Sequence, residues 1–463
     1  MALVNGSPSV ILKNVAQLIK KKVPQDTADL VEQFANLLYS NISSFDLSDR
    51  NDSDMYGATL SLWSSLNEHT DNEPVIHVFN PSVSKNGWKS SHTIIEVIVK
   101  DMPFLVDSIR IALNRLGLSP HLMLNSPLKM VRDTNSNITK IASSVDTKIK
   151  ATSEETIFFI EIDRQSNQQD LNKIKNELLS VVEDITLTVN DWRPMLKQFN
   201  SVIADVKKGK LPGSKEDKVD TVEFLTWLAS NNFTLMGYRS YHVLAVKGDI
   251  KLEADTESSL GLMKGSSSRS KSRFISSLSE SGREEALGKN HLILTKTNSF
   301  SRVHRPAQLD YIGVKRFDAK GNVIGEERFI GLFGSAYYTN SALDLPLIKS
   351  KVKAVCESSG FAKGTHAYKS LINILETYPR DEILQGSIGE LLKNVMGILQ
   401  MQERDYCGLF VRPDAFDRFY SCMVYVPRER YNTKLRIETQ HLLQEAFGSN
   451  EEVEFTTYFS ESV

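Results

Sequence analysis

The segment Asp101-Met102-Pro103-Phe104 is where this sequence first offers chemistry. It separates a run rich in Ile and Val, Thr93 to Val99, from a helix-spaced set, Leu105, Ile109, Leu113 and Leu116. The run reads as a strand, because β-branched side chains fit a pleated surface. The spacing that follows lines apolar side chains along one helix face and leaves Arg110 and Arg115 on others. The first amides of such a helix have no partner inside it, and the helix dipole favours negative charge there. A carboxylate could therefore bind at the turn, with Asp101 holding an ammonium group and Pro103 keeping the backbone rigid. Asp101, Met102, Pro103 and Phe104 are thus the candidate residues for binding an amino-acid effector. Phe104 works against this, since its side chain would crowd a ligand approaching the backbone. The plainer reading is a turn that only packs the helix on its sheet.

Elsewhere the motifs of catalysis are missing. No G-x-G-x-x-G opens a helix after a strand, so no dinucleotide-binding residue is legible. Gly360-Phe361-Ala362-Lys363-Gly364-Thr365 has the ingredients of a phosphate loop in the wrong order, and reads as one helix C-cap followed by an N-cap. There is no G-x-S-x-G and no H-E-x-x-H, so no catalytic residue is assigned. His304-Arg305-Pro306, just before Asp310-Tyr311-Ile312, could bind an anion, although a loop arginine is more often solvated or paired. Tyr378-Pro379-Arg380-Asp381 reads as a helix break with Asp381 capping the next helix. His92, His121 and His366 look isolated, without the spacing of metal ligands. Cys356, Cys407 and Cys422 are odd in number and also lack that spacing, as expected of reduced, mostly buried thiols. No metal is predicted.

The elements that must hold the turn follow from periodicity. Gly117 ends the helix, and a second strand runs from His121 to Val131. After a polar insertion, Asp133 to Ser153, comes a strand at Thr156 to Ile162 and a helix marked by Leu171, Ile174, Leu178, Val181, Val182 and Ile185. The order β-α-β-β-α lacks a fourth strand, and Val75 to Phe79 is expected to fill that slot. Val10 to Val23, Ala28 to Ile42 and Asp52 to Leu66 are read as helices, with Asp26 or Thr27 capping the second. They could pack on the sheet or on another subunit. Lys207 to Lys218 is charged, contains Gly and Pro, and reads as a linker. Beyond it come a helix, Val219 to Asn231, and strands at Phe233 to Val246, His291 to Thr297, Leu309 to Phe317 and Asn322 to Tyr338. Ser258 to Ser281, with Arg269, Lys271 and Arg273, reads as an exposed loop. Helices are expected at Leu345 to Ser358, His366 to Glu376 and Ile383 to Gln402. A β-β-α-β series closes the chain: Cys407 to Val411, Phe419 to Val426, Thr433 to Phe447 and Glu452 to Phe459.

Length and charge bound the function. A chain of 463 residues suggests about three domains. Its 41 % hydrophobic and 24 % charged content is that of a globular protein. With 55 basic against 57 acidic residues, the net charge of −2 gives no electrostatic footprint for nucleic acid. Neither a signal peptide nor a stretch of membrane-spanning length is present, so a soluble, cytoplasmic protein with no membrane partner is expected.

The β-α-β-β-α order, with its Asp101-x-Pro103-x-Leu105 turn, resembles an ACT domain, the amino-acid-sensing module of metabolic enzymes. Relatives that bind effectors carry a small Gly after the Pro, where this chain has Phe104. A wider resemblance rests on Gly87-Trp88, His92-Thr93-Ile94-Ile95-Glu96, DMPFLVDSI at Asp101 to Ile109 and FTLMGYRSY at Phe233 to Tyr241. It continues in SRVHRPAQLDYIGVKRFD from Ser301, GEERFIGLFGSAYY from Gly325, ILETYPRDEILQ from Ile374 and FYSCMVYVPRERYNTKLR from Phe419. These stretches are similar to the N-terminal part of the large bacterial NAD-specific glutamate dehydrogenases. The resemblance implies an α+β chain of N-terminal helices (1–70), a ferredoxin-like ACT-type domain (71–206), an antiparallel-sheet, PAS-like domain (219–342), a helical connector (343–404) and an incomplete second ACT-like domain (405–463). It implies a parent that converts L-glutamate to 2-oxoglutarate and ammonium with NAD as cofactor, its catalytic domain lying further along a longer polypeptide. This chain would then be a truncated piece of it or a protein that naturally lacks its enzyme half, and stopping inside a second ACT-like module points to truncation. The segment itself is expected to be non-catalytic, to bind no NAD, and to act in regulation and homo-oligomer assembly. Two other readings stay open: a stand-alone amino-acid sensor, and a purely structural scaffold.

Overall fold

The computed structural model describes residues 8–40, 42–43, 46, 50–68, 73–264, 272–401, 406–450 and 453–458. By contacts the chain forms two compact units, Met1–Asn190 with Phe300–Ala307, and Asp191–Ser299 with Gln308–Val463.

The first unit begins with the helices α1 (Pro8–Lys22), α2 (Gln25–Leu38) and α3 (Asp52–Glu68). Then come β1 (Val75–Phe79), a single turn α4 (Val83–Asn86), β2 (Thr93–Lys100), α5 (Leu105–Arg115), β3 (Pro120–Arg132), β4 (Ile138–Ser143), β5 (Ser153–Ile162) and α6 (Gln168–Asn190). The sheet order is β1-β2-β5-β3-β4, antiparallel throughout. The Val75 strand does take the slot beside β2, pairing Val78 with Ile95. Successive side chains of a strand point to opposite faces. Ile94, Ile98, Ile157 and Phe159 accordingly share one core with Val15, Phe34, Leu62 and Leu66 of the three helices. The helices therefore cover the sheet. Ile95, Val97, Phe158 and Ile160 alternate with that set and are fully buried as well. In α5, Leu105, Ile109 and Leu113 are buried and Leu116 is half-buried. The helix ends where Gly117 adopts φ +72°, a left-handed conformation that costs Gly little.

Two expectations fail in this unit. The polar segment Asp133 to Ser153 contains a strand, β4, because Ile138 and Ile141 are buried among its polar residues. Neither Asp26 nor Thr27 caps α2; Pro24 precedes the helix, its φ of −52° already suited to a helix entry.

The second unit opens with α7 (Trp192–Lys208) and α8 (Lys215–Trp227). The segment read as a linker is the link between these two helices, and the two compact units part earlier, at Asn190/Asp191. Ser214 closes it with a capping box, accepting from the Asp217 N–H while the Asp217 carboxylate accepts the Ser214 N–H. A seven-stranded sheet follows: β6 (Phe233–Val246), β7 (Asp249–Ala254), β8 (Leu260–Gly261), β9 (Arg273–Phe274), β10 (Leu292–Phe300), β11 (Gln308–Phe317) and β12 (Val323–Phe333). Its order is β10-β11-β12-β6-β7-β9, with β8 also on β6. A helix α9 (Glu280–Leu287) precedes β10. The Ser-rich loop is thus shorter than expected, and its residues 265–271, including Arg269 and Lys271, lie outside the described residues. The strand expected to reach Tyr338 stops at Phe333, because Gly334 starts a short helix, α10 (Ser335–Thr339).

Four helices complete the core: α11 (Ile348–Ser358), α12 (His366–Thr377), α13 (Arg380–Gln385) and α14 (Ile388–Met401). Thr365 caps α12 as expected. The single helix expected at Ile383 to Gln402 is two, since Ser387 and Glu390 bond reciprocally and start a new helix. Pro379, not Asp381, stands at the cap of α13. Phe199, Phe224, Phe329, Tyr337, Val352, Leu371 and Val395 are among the core residues that join helices and sheet. A hairpin, β13 (Gly408–Pro413) with β14 (Tyr420–Tyr425), and α15 (Thr433–Phe447) end the described chain. The strand expected at Glu452 to Phe459 is absent over 453–458, where no neighbour supplies ladder hydrogen bonds; its two end residues lie outside the described residues.

Candidate functional site

β2 and α5 place the four candidate residues in one turn, as the sequence requires. Asp101 is fixed at both ends: its N–H donates to the Glu154 carbonyl at 2.9 Å and its Oδ1 accepts from the Thr156 hydroxyl at 2.5 Å. Pro103 is exposed, while Met102 and Phe104 are half-buried. Phe104 stands at the N-cap with φ +74° and ψ −3°, without a side-chain cap. A left-handed bulky residue is uncommon and carries strain, which native structures keep where the surroundings enforce it. Ser108 supplies part of that enforcement, donating its hydroxyl to the Phe104 carbonyl at 2.6 Å.

The rest comes from Phe300–Ala307, which belongs to this unit although its neighbours on both sides belong to the other. The His304 N–H donates to Ser108 Oγ at 3.2 Å, and its ring lies 5.0 Å from that of Phe104, centroid to centroid. His304 is itself left-handed, with φ +72°. Its buried Nδ1 finds no partner among the described residues. Burial, helped by Arg305, holds its pKa below the usual histidine value, so the neutral ring is favoured. Two residues earlier, Arg302 grips Asp184 of α6, Nε to Oδ2 at 2.8 Å. Burial pushes the Asp184 carboxyl up, with Arg302 opposing.

Beside the turn lies a cleft of about 130 Å³ lined by Val99, Lys100, Met102, Val182, Thr186 and Asn190, with Pro74 at its edge. Lys100 offers a cation, Thr186 and Asn190 offer hydrogen bonds, and Val99, Met102 and Val182 an apolar wall. That arrangement can hold a small zwitterion. It does not engage Asp101, whose carboxylate is turned to Thr156.

Two other polar clusters escaped the sequence. His92 and His121, read as isolated, are in contact with ring centroids 4.6 Å apart. Arg50 binds the buried Glu161 through two bonds of 2.6 and 2.7 Å, His92 Nδ1 lies 3.7 Å from Glu161, and His121 bonds Asp163 at 2.7 Å. In the second unit, Lys296 bridges Asp310 and Asp381, the latter at 2.8 Å, and Asp310 also accepts the Phe333 N–H at 3.0 Å. Burial and the nearby Asp381 raise the Asp310 carboxyl to about 6 against the pull of Lys296. Among the described residues, no three His, Cys, Asp or Glu side chains converge as a metal site, and no helix is long and apolar enough to cross a membrane. Of the cysteines, Cys356 is buried, Cys422 half-buried and Cys407 exposed, so burial is less general than expected.

Residues 34–178 match the family described as glutamate dehydrogenase, ACT1 domain; residues 345–404 match its helical motif 1, and residues 408–463 its ACT2 domain. The chain is 37 % identical, over 98 % of its length, to the NAD-specific glutamate dehydrogenase of Halomonas elongata, and 35 % identical, over 96 %, to that of Pseudomonas aeruginosa. The enzyme of the same name from Mycobacterium tuberculosis is 26 % identical over 80 % of this chain. In each case the chain spans a minor part of the relative, 28 %, 27 % and 21 % of its length. Both ACT domains with the helical motif between them, in a stretch that covers so small a share of its relatives, place the chain in the family of NAD-specific glutamate dehydrogenases, as an N-terminal region of it.

Proposed function

We propose that this chain is a regulatory and assembly region of an NAD-dependent glutamate dehydrogenase. The whole protein would oxidise L-glutamate to 2-oxoglutarate and ammonium with reduction of NAD, in the cytoplasm and as a homo-oligomer. This segment would carry neither the catalysis nor the NAD. Its parts would be the N-terminal helices (1–70), the first ACT-type domain (71–206), a PAS-like sheet domain (219–342), a helical connector (343–404) and a second ACT-like domain (405–463).

The observation that carries the reading is the ACT1 match of residues 34–178, in which Asp101–Phe104 is the turn entering α5. An amino-acid effector would bind at this turn, its carboxylate toward the first amides of α5, its ammonium group on Asp101 once that side chain leaves Thr156, and its remainder in the cleft along Lys100 and Asn190. The Phe300–Ala307 segment would report the event, because His304 must leave the Phe104 ring and the Ser108 hydroxyl for a ligand to reach those amides. The geometry also supports a second, purely architectural reading: Asp101 is engaged by Thr156, and Phe104 with His304 covers the helix start.

Calorimetric titration of the chain with glutamate, aspartate and arginine, repeated on Asp101→Ala, tests the first reading. Saturable heat that Asp101→Ala abolishes supports sensing. No heat with any of the three leaves the architectural role.

A further inference from the structure

A second cavity lies far along the chain from the ACT1 turn, in the helical part of the second unit. It is an open groove of about 700 Å³ along α11, α12 and the loop Gly360 to Thr365 that joins them. A volume of that size is ordinary for a small-molecule site, where apolar walls supply affinity and a few polar groups fix orientation. The walls here are Val352, Phe361, Tyr368 and Ile372. Cys356 also faces the cavity, but burial raises its thiol, so it is a wall and not a nucleophile.

Three lysines, Lys349, Lys353 and Lys363, line the same groove, against one acidic residue, Glu357. Lys349 is already neutralised by Glu223, with contacts of 2.7 and 2.8 Å. Lys353 meets Glu357 only at 4.0 Å, with both side chains largely in water, an arrangement that contributes little. Lys363 enters no ion pair among the described residues. Two flexible cations are therefore available to a ligand whose body rests on aromatic and aliphatic side chains.

We propose that this cavity binds an organic anion with an apolar body, its charged group held by Lys353 and Lys363 and its body against Phe361, Tyr368 and Ile372. A free inorganic anion would leave the walls unused, and a neutral hydrocarbon would leave the lysines unused. The site is independent of the ACT1 turn. An effector acting there would reach the helical motif without passing through the first unit.

The probe is 8-anilinonaphthalene-1-sulfonate, an aromatic anion that fluoresces in apolar surroundings, titrated into the whole 463-residue chain. We expect a saturable one-to-one component that is weakened about tenfold or more in Lys353→Glu/Lys363→Glu, since the charges are then reversed. Ser350→Trp, which fills the cavity from its wall, should remove that component. Leu442→Glu, on the exposed face of α15, should leave it intact. Competition by adenosine monophosphate or by decanoate then assigns the body as aromatic or acyl. Absence of a saturable component, its survival in the lysine double variant, or failure of both competitors overturns the proposal. The lysine variant changes only exposed side chains, so the test holds even if Ser350→Trp does not fold.

Discussion

The rings of Phe104 and His304 lie 5.0 Å apart, and both residues hold the left-handed backbone that bulky side chains avoid. One strained residue therefore rests on another, and the Ser108 hydroxyl bonds to both backbones. Removing either ring takes away the ring contact and leaves only the backbone bonds through Ser108.

His304→Ala should loosen Phe300–Ala307 while leaving the sheet of the first unit folded. Hydrogen exchange would show faster exchange at Ser301 and Val303, with Ile95 and Val97 unchanged. Equal protection in wild type and variant would mean that Arg302 and the Ser108 bond to the backbone N–H of residue 304 hold the segment without the ring.

The same contact should weaken in acid. The folded pKa of His304 lies below its ordinary 6.5, so the unfolded form binds more protons across the window between the two. Its contribution is complete above 6.5 and is lost as pH falls through the lower, folded value. Protection of the segment should thus decline below neutral pH, and His304→Gln should flatten that dependence. A profile identical in the variant would assign it to another group.

Asp310 should behave in the opposite sense. Its folded pKa, about 6, lies above the ordinary 3.8, so between these values the folded state binds the extra proton. That contribution is present at low pH and is lost as pH rises through 6. Asp310→Asn should remove it, which urea unfolding at several pH values would show. Lys296→Met leaves Asp310 and Asp381 without their cation and should cost about 3–5 kcal/mol at neutral pH.

Leu113 is fully buried in α5, so Leu113→Ala should cost about 2–5 kcal/mol, read from the urea midpoint. In the same unit, Arg50→Met strands the Glu161 carboxylate and should cost about 3–5 kcal/mol. Adding Glu161→Gln should restore much of that loss.

Sequence periodicity reached α5 and α6 because each buries a regular apolar face, while β2, buried on both faces, and the Val75 strand were legible as short runs rich in Ile, Val and Phe. It missed β4, where two isoleucines are diluted by polar neighbours, and it ran α13 and α14 together across the Ser387 capping box. The turn itself was legible from Pro103 and the helix spacing after it. The residue that completes it was not: His304 follows Ser108 by 196 positions, and nothing local in SRVHRP indicates where its ring goes. His92 and His121 escaped for the same reason, since their contact exists only once β5 is paired with β2 on one side and with β3 on the other.

The helices on one side of the first sheet and the buried layer on the other have a consequence for self-association. Neither surface is left for a second sheet to lie upon. Unused backbone donors and acceptors remain along the outermost strands, the five residues of β1 and the six of β4, and along the first half of β3, since only Leu128–Arg132 pair with β4. Where two copies of this module join sheet to sheet, the joint runs side by side, strand against strand, as a ribbon-like continuation at one of these edges.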